Sequence, residues 1–127
     1  MDFTSGAKIL NSKEDTVEIK IVYDKIIIDS LRKSSNSSSV SNYSFIENEA
    51  MYAGKSYSID TILFSISYTL YRNQELPFTH NPGFKPDLSM IKLIEIKSKN
   101  KTVILNKSNF NSEFIEKEKG LWVYTIK

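Results

Sequence analysis

Two carboxylates and a lysine are the side chains best suited to hydrolytic chemistry in this chain: Asp87, directly after Pro86, and the pair Glu95 and Lys97 flanking Ile96. Hard oxygen ligands of this type hold Mg²⁺, which activates water and stabilises charge on a phosphoryl group; an amine nearby can assist the attacking water. An imidazole base has one candidate, His80, the only histidine. With that single histidine and no cysteine, multi-histidine and thiolate metal sites, cysteine nucleophiles and disulfides are all excluded. There is no glycine-rich phosphate loop and no GxSxG elbow, the four glycines standing singly at 6, 54, 83 and 120. Recognition has a denser cluster. All three prolines lie between Pro77 and Pro86, together with His80, Phe78 and Phe84. Proline fixes φ and removes a donor, so the stretch from 72 to 86 reads as a rigid loop, with Asn81-Pro82-Gly83-Phe84 as a type II turn. Aromatic rings on a stiff loop lose little entropy on binding. Phe78 and Phe84 are thus candidate anchors for a partner, with Arg72, His80 and Lys85 as a polar rim.

The Pro86-Asp87 step and the triplet Glu95-Ile96-Lys97 resemble the pattern of the PD-(D/E)xK nuclease superfamily. The resemblance covers about a dozen residues of 127. It implies Asp87 and Glu95 on adjacent strands as ligands of Mg²⁺, Lys97 as the assisting base, and Glu47 or Glu49 as a further ligand from an upstream helix. Leu88 to Ile94, between the two acids, contains no Gly, Asn or Pro to turn a hairpin, and an acid two residues before a lysine is also how a solvated strand face reads. The nuclease is therefore the alternative reading.

The elements that would position these groups are mostly strands. Val17, Ile19, Ile21 and Tyr23 alternate with Glu18, Lys20 and Val22 and lead into Ile26-Ile27-Ile28, which predicts either a hairpin turning at Asp24-Lys25 or one long strand from 16 to 29. Residues 61–71 fit both periods; their β-branched and aromatic content favours a strand with Ile62, Phe64, Ile66, Tyr68 and Leu70 on one face. Ile91–Lys97 and Thr102–Asn106 predict an antiparallel hairpin in which Lys97 meets Thr102, Ile96 meets Val103 and Ile94 meets Leu105. Phe45–Tyr52 predicts a short helix capped by Ser44, and Asn111 predicts another, stapled by Phe110 and Ile115 and stopped by Gly120. Leu121–Ile126 reads as a closing strand. Residues 34–42 are serine-rich and read as a flexible loop.

The chain thus reads as one domain, residues 1–127: a β-rich α+β fold whose antiparallel sheet of about five or six strands is curled or two-layered, with one or two short helices. A net charge of +2 is too small to demand nucleic acid or an anionic surface. Six lysines between 85 and 107 against Asp87 and Glu95, with Phe84, Phe110, Trp122 and Tyr124, nevertheless keep single-stranded nucleic acid as a further alternative. No run approaches 18 apolar residues, and the start lacks the pattern of a secretion signal, so a cytoplasmic protein without a membrane span is expected. The reading favoured is a small non-enzymatic module, without a cofactor, that occupies a protein partner as an inhibitor, immunity or defence-blocking protein or assembly component.

Overall fold

The structure is a computed structural model that describes residues 4–34 and 42–127. Its elements are β1 (Thr4–Asn11), β2 (Val17–Tyr23), α1 (Lys25–Ser34), α2 (Asn42–Tyr52), β3 (Tyr57–Asp60), β4 (Ser65–Leu70), β5 (Glu75–Pro82), β6 (Ile91–Ser98), β7 (Lys101–Asn106), α3 (Phe110–Glu113), β8 (Ile115–Glu118) and β9 (Leu121–Ile126). Sheet A runs β5-β1-β9-β8 and sheet B runs β3-β4-β2-β6-β7. Every neighbouring pair is antiparallel except β1 with β9, which is parallel. The β-rich α+β class holds, in two layers and with more strands than expected among the described residues.

Alternation builds the core. On sheet B, Val17, Ile19 and Ile21 of β2, Ile66, Tyr68 and Leu70 of β4, and Ile94 and Ile96 of β6 point inward, while Glu18, Lys20, Glu95 and Lys97 take the other parity. Ala7 and Ile9 of β1, Leu76 and Phe78 of β5, and Ile126 of β9 join them in one continuous apolar cluster. The β6–β7 hairpin has the expected register, with Lys97 opposite Thr102 and Ile94 opposite Leu105. Asn11, fully buried, ties the two layers: its amide donates to the carbonyls of Leu70 and Asp15 at 3.1 and 3.0 Å, and its Oδ1 accepts from the Lys13 N–H. The buried amide is thereby hydrogen-bonded at both its nitrogen and its oxygen. α2 packs against β3, β4 and β5, and so touches an edge strand of each sheet.

Several expectations are corrected. Ile26-Ile27-Ile28 belongs to α1, not to a strand: the Ile27 N–H donates to Asp24 Oδ1 (3.3 Å) and the Ile28 N–H to the Asp24 carbonyl (3.1 Å), so Asp24 starts a helix where β-branched propensity alone suggests extension. Only Ile28 of the three is buried. The favoured strand in 61–71 is present but begins at Ser65. Ile62 lies in a turn closed by Asp60 Oδ1, which accepts from the N–H groups of Ile62 and Leu63. Residues 72–86 are not one loop: Glu75–Pro82 is β5, an edge strand, the position in a sheet that tolerates prolines. α2 starts at Asn42, ahead of Ser44, so Ser44 does not cap it. The last helix starts after Asn109 and lasts four residues. Phe110 and Phe114 both turn into the core, and the chain then extends into β8, leaving Ile115 exposed rather than stapled. Of the serine-rich stretch at 34–42, residues 35–41 lie outside the described residues.

Glu49 of α2 carries a testable polar interaction beside Tyr23 and Tyr68. Burial raises its carboxyl above the usual carboxylate range, while burial first and the Glu49 charge second raise both phenols. The folded chain therefore holds this proton more tightly than the unfolded chain. The resulting stability is complete below the ordinary value of 4.5 and is lost as pH rises through the higher folded value. Glu49→Gln should accordingly raise the denaturant midpoint at pH 7 and leave it unchanged at low pH, where the carboxyl is protonated. A midpoint lowered at pH 7 would contradict this assignment.

Candidate functional site

Where β5 ends, the chain crosses from sheet A to sheet B through residues 83–90, and this crossing segment is locked by side chains. Asn81 Nδ2 donates to the carbonyls of Pro82 (2.9 Å) and Lys85 (3.0 Å), and the Asp87 N–H donates to Asn81 Oδ1 (2.8 Å). Ser5 Oγ donates to the Gly83 carbonyl at 2.6 Å and fastens the segment to β1. Gly83 has φ +116°, backbone that glycine adopts without strain. Proline is not alone in stiffening this corner: one asparagine bonds the segment through both its amide nitrogen and its amide oxygen.

The result is an outward-held ring. Phe84 is 70% exposed and, with Lys85, Trp122, Glu116 and Gly120, lines a cleft of about 540 Å³ at the end of sheet A. Lys85 Nζ stands 5.9 Å from the centroid of the Trp122 ring, within range of a cation–π contact. Trp122 is held from below by β9, whose parallel register places it beside Ala7. Its Nε1 is buried and has no acceptor among the described residues. A smaller recess of about 270 Å³, lined by His80, Pro77 and Tyr52, shares Thr4, Ser5, Lys119 and Gly120 with this cleft.

The expected partner-binding residues therefore divide. Phe84 and Lys85 come together, with His80 in the adjoining recess. Phe78 is corrected: it is 2% exposed and packs on Phe114 at 5.7 Å between ring centroids, because Leu76 and Phe78 take the inward parity of β5. Arg72 is exposed but lies beyond the other end of the eight-residue β5, a strand about 25 Å long that separates it from Phe84, and faces Glu14 at 3.9 Å. Trp122, Asn81 and Ser5 complete the corner. Trp122 reads in the sequence only as a ring available for stacking, Asn81 only as the first residue of a turn, and no local signal marks Ser5, whose partner lies 78 residues away.

The nuclease pattern is not assembled. Asp87 sits in the crossing segment, and β5 before it and β6 after it belong to different sheets, so Asp87 and Glu95 are not on adjacent strands. The Asp87 carboxylate accepts from Ser89, whose side-chain and backbone hydrogen bonds hold it below the usual range. Glu95 lies 3.5 Å from Lys97 and opposite Lys20 on the outer face of sheet B, whereas Glu49 neighbours the inward-facing Tyr23 and Tyr68. Among the described residues no group of three or more His, Asp or Glu side chains is arranged to hold a metal.

The lysines of 85–107 also separate. Lys99 and Lys101 lie at the β6–β7 turn, while Lys92 and Lys107 lie at the opposite end of the hairpin, where Lys107 pairs with Asp24 at 3.7 Å. Phe110 is buried and unavailable for stacking. No helix among the described residues is long and apolar enough to cross a membrane. Compared with protein-family models, curated proteins and solved structures, the chain has no match.

Proposed function

We propose that this protein is a non-enzymatic binding module that occupies a protein partner through the Phe84–Lys85–Trp122 corner. The observation that carries the reading is an exposed phenylalanine on a segment immobilised by Asn81 and Ser5, beside a tryptophan and a lysine. Interface anchors are typically aromatic, and one fixed before binding forfeits little entropy when it docks. The absence of cysteine fits a reducing cytoplasm, where inhibitory, immunity and assembly proteins of this size act.

Photo-crosslinking tests it directly. With a benzoylphenylalanine at position 84, an extract of the native host should yield a discrete adduct that excess unmodified protein competes away, and the same group at exposed Ile104 should not. Once the adduct is identified, Phe84→Ala should weaken binding by about 30-fold or more, equivalent to about 2 kcal/mol. Asn81→Ala leaves the ring in place and releases the backbone under it, so it should weaken binding by a smaller factor, about 3- to 10-fold. Full affinity in Phe84→Ala would reject the reading.

A further inference from the structure

The outer face of sheet B carries a second concavity, of about 750 Å³ and remote in topology from the Phe84 corner. Its floor is chemically distinctive. Glu18 stands opposite Lys97 and Lys20 opposite Glu95 across the β2–β6 pair, so each cation has a carboxylate neighbour and the four charges cancel. Lys55 adds one positive charge to the lining. Ser67 and Thr69 of β4 lie opposite Lys20 and Glu18, and Ser58 of β3 lies opposite Ser67, giving a run of hydroxyls across the neighbouring strands.

Of the three tyrosines that line the concavity, Tyr57, Tyr68 and Tyr71, the last is the most exposed. Tyr71 is 58% exposed and lines the cleft together with Gln74. Both belong to a turn closed in both directions: the Tyr71 N–H donates to Gln74 Oε1 (2.9 Å) and the Gln74 N–H to the Tyr71 carbonyl (3.1 Å). Asn73, with φ +64°, donates its N–H to the carbonyl of buried Asn11 at 2.7 Å and ties the turn to β1. The ring's backbone is thus set before any ligand arrives.

An apolar ligand would not recover the hydration of this floor, and a polyanion would meet a carboxylate beside each cation of the strand floor. A neutral polyhydroxylated ligand fits both features: its hydroxyls exchange hydrogen bonds with paired acids, lysines and Ser/Thr groups, and its C–H face lies on an aromatic plane. We propose that the outer face of sheet B binds a neutral oligosaccharide, with the Tyr71 ring as stacking platform and the Glu18, Lys20, Glu95 and Lys97 quartet as the polar floor. This site is independent of the protein-binding corner.

The test uses the whole chain labelled with ¹⁵N and titrated separately with chitohexaose, cellohexaose and maltohexaose to 10 mM, with a sulfated heparin hexasaccharide as the anionic comparison. Saturable shifts with at least one neutral hexasaccharide, confined to amides around Ser58, Ser67, Thr69 and Gln74 and about tenfold weaker in Tyr71→Ala, are expected. Tyr71→Phe keeps the ring and should stay within about threefold of the original affinity. No shifts with any neutral hexasaccharide, shifts mapping elsewhere, tighter binding of the heparin fragment, or affinity unchanged in Tyr71→Ala would each overturn the proposal. Persistence of the Phe84 adduct in Tyr71→Ala would leave the other site standing whichever result is obtained.

Discussion

Phe78→Ala is expected to cost about 3–5 kcal/mol of folding stability, a large share of what a domain of this size possesses. The ring is fully buried, touches Phe114, and through it belongs to a chain of aromatic contacts with Phe110 and Tyr124 under sheet A. Removing it loses the transfer energy of a benzyl group and leaves a hole that an edge strand paired only to β1 cannot close without giving up its register. A bulge falls at this position, since Ala7 pairs with Thr79 and Lys8 with Pro77, so Phe78 already occupies the irregular point of the ladder. Denaturant unfolding of the variant should show a midpoint shifted by this amount. Phe84→Ala, six positions on, should change stability by no more than about 0.5 kcal/mol, because its ring is largely in water. Two similar values would mean that the inward and outward roles of the two rings are wrongly assigned.

Gly120→Ala should be the most damaging of the four possible Gly→Ala changes. Gly120 turns β8 into β9 with φ +83°, where a side chain costs about 1–2 kcal/mol. The added Cβ would also sit 2.5 Å from the Thr4 carbonyl oxygen, which is backbone and cannot swing aside. The Gly6 N–H donates to the Gly120 carbonyl at 2.8 Å, so relieving the clash pulls apart the start of the parallel β1–β9 pair. Overpacking of this kind adds about 1–3 kcal/mol, for a total of about 2–5. Amide exchange at Gly6 and Leu121 should accelerate more than exchange in β2 or β4. Gly54→Ala provides the internal contrast: its φ is +67°, but an added Cβ meets nothing within 4 Å, so the backbone cost stands alone and the loss should be smaller. Equal losses at the two positions would show that the Thr4 contact is unimportant. Gly120 also lines the Phe84 cleft, so its substitution should weaken partner binding in proportion to the local opening.

Much of sheet B was legible because one face is buried and the other solvated, which writes a period of two into β2, β4 and the β6–β7 hairpin. Sheet A was far less legible. β1 turns Ser5, Ala7, Ile9 and Asn11 inward, two of them polar, and β8 is exposed at every position, so neither shows an apolar alternation. β5 contains Pro77 and Pro82, which argue against a strand until its edge position is known. α1 was obscured by three consecutive isoleucines whose β propensity is overridden by the Asp24 cap. Part of the exposed aromatic corner was also readable. Phe84 and Lys85 could be named from the proline-rich stretch, whereas Trp122 joins them only because a parallel pairing brings the end of the chain back beside its beginning.

Residue types and their spacing were enough to establish a cysteine-free, β-rich domain, the register of its central hairpin and the presence of an aromatic cluster around the prolines, because these depend on local periodicity and composition. Which phenylalanine faces the core and which faces water, whether Asp87 ever meets Glu95, and where the lysines lie relative to one another depended on how two sheets share out the strands. That assignment rests on contacts between residues as far apart as Ser5 and Gly83 or Ala7 and Trp122. Their energies are decided by mutual burial and not by anything that either neighbourhood encodes alone.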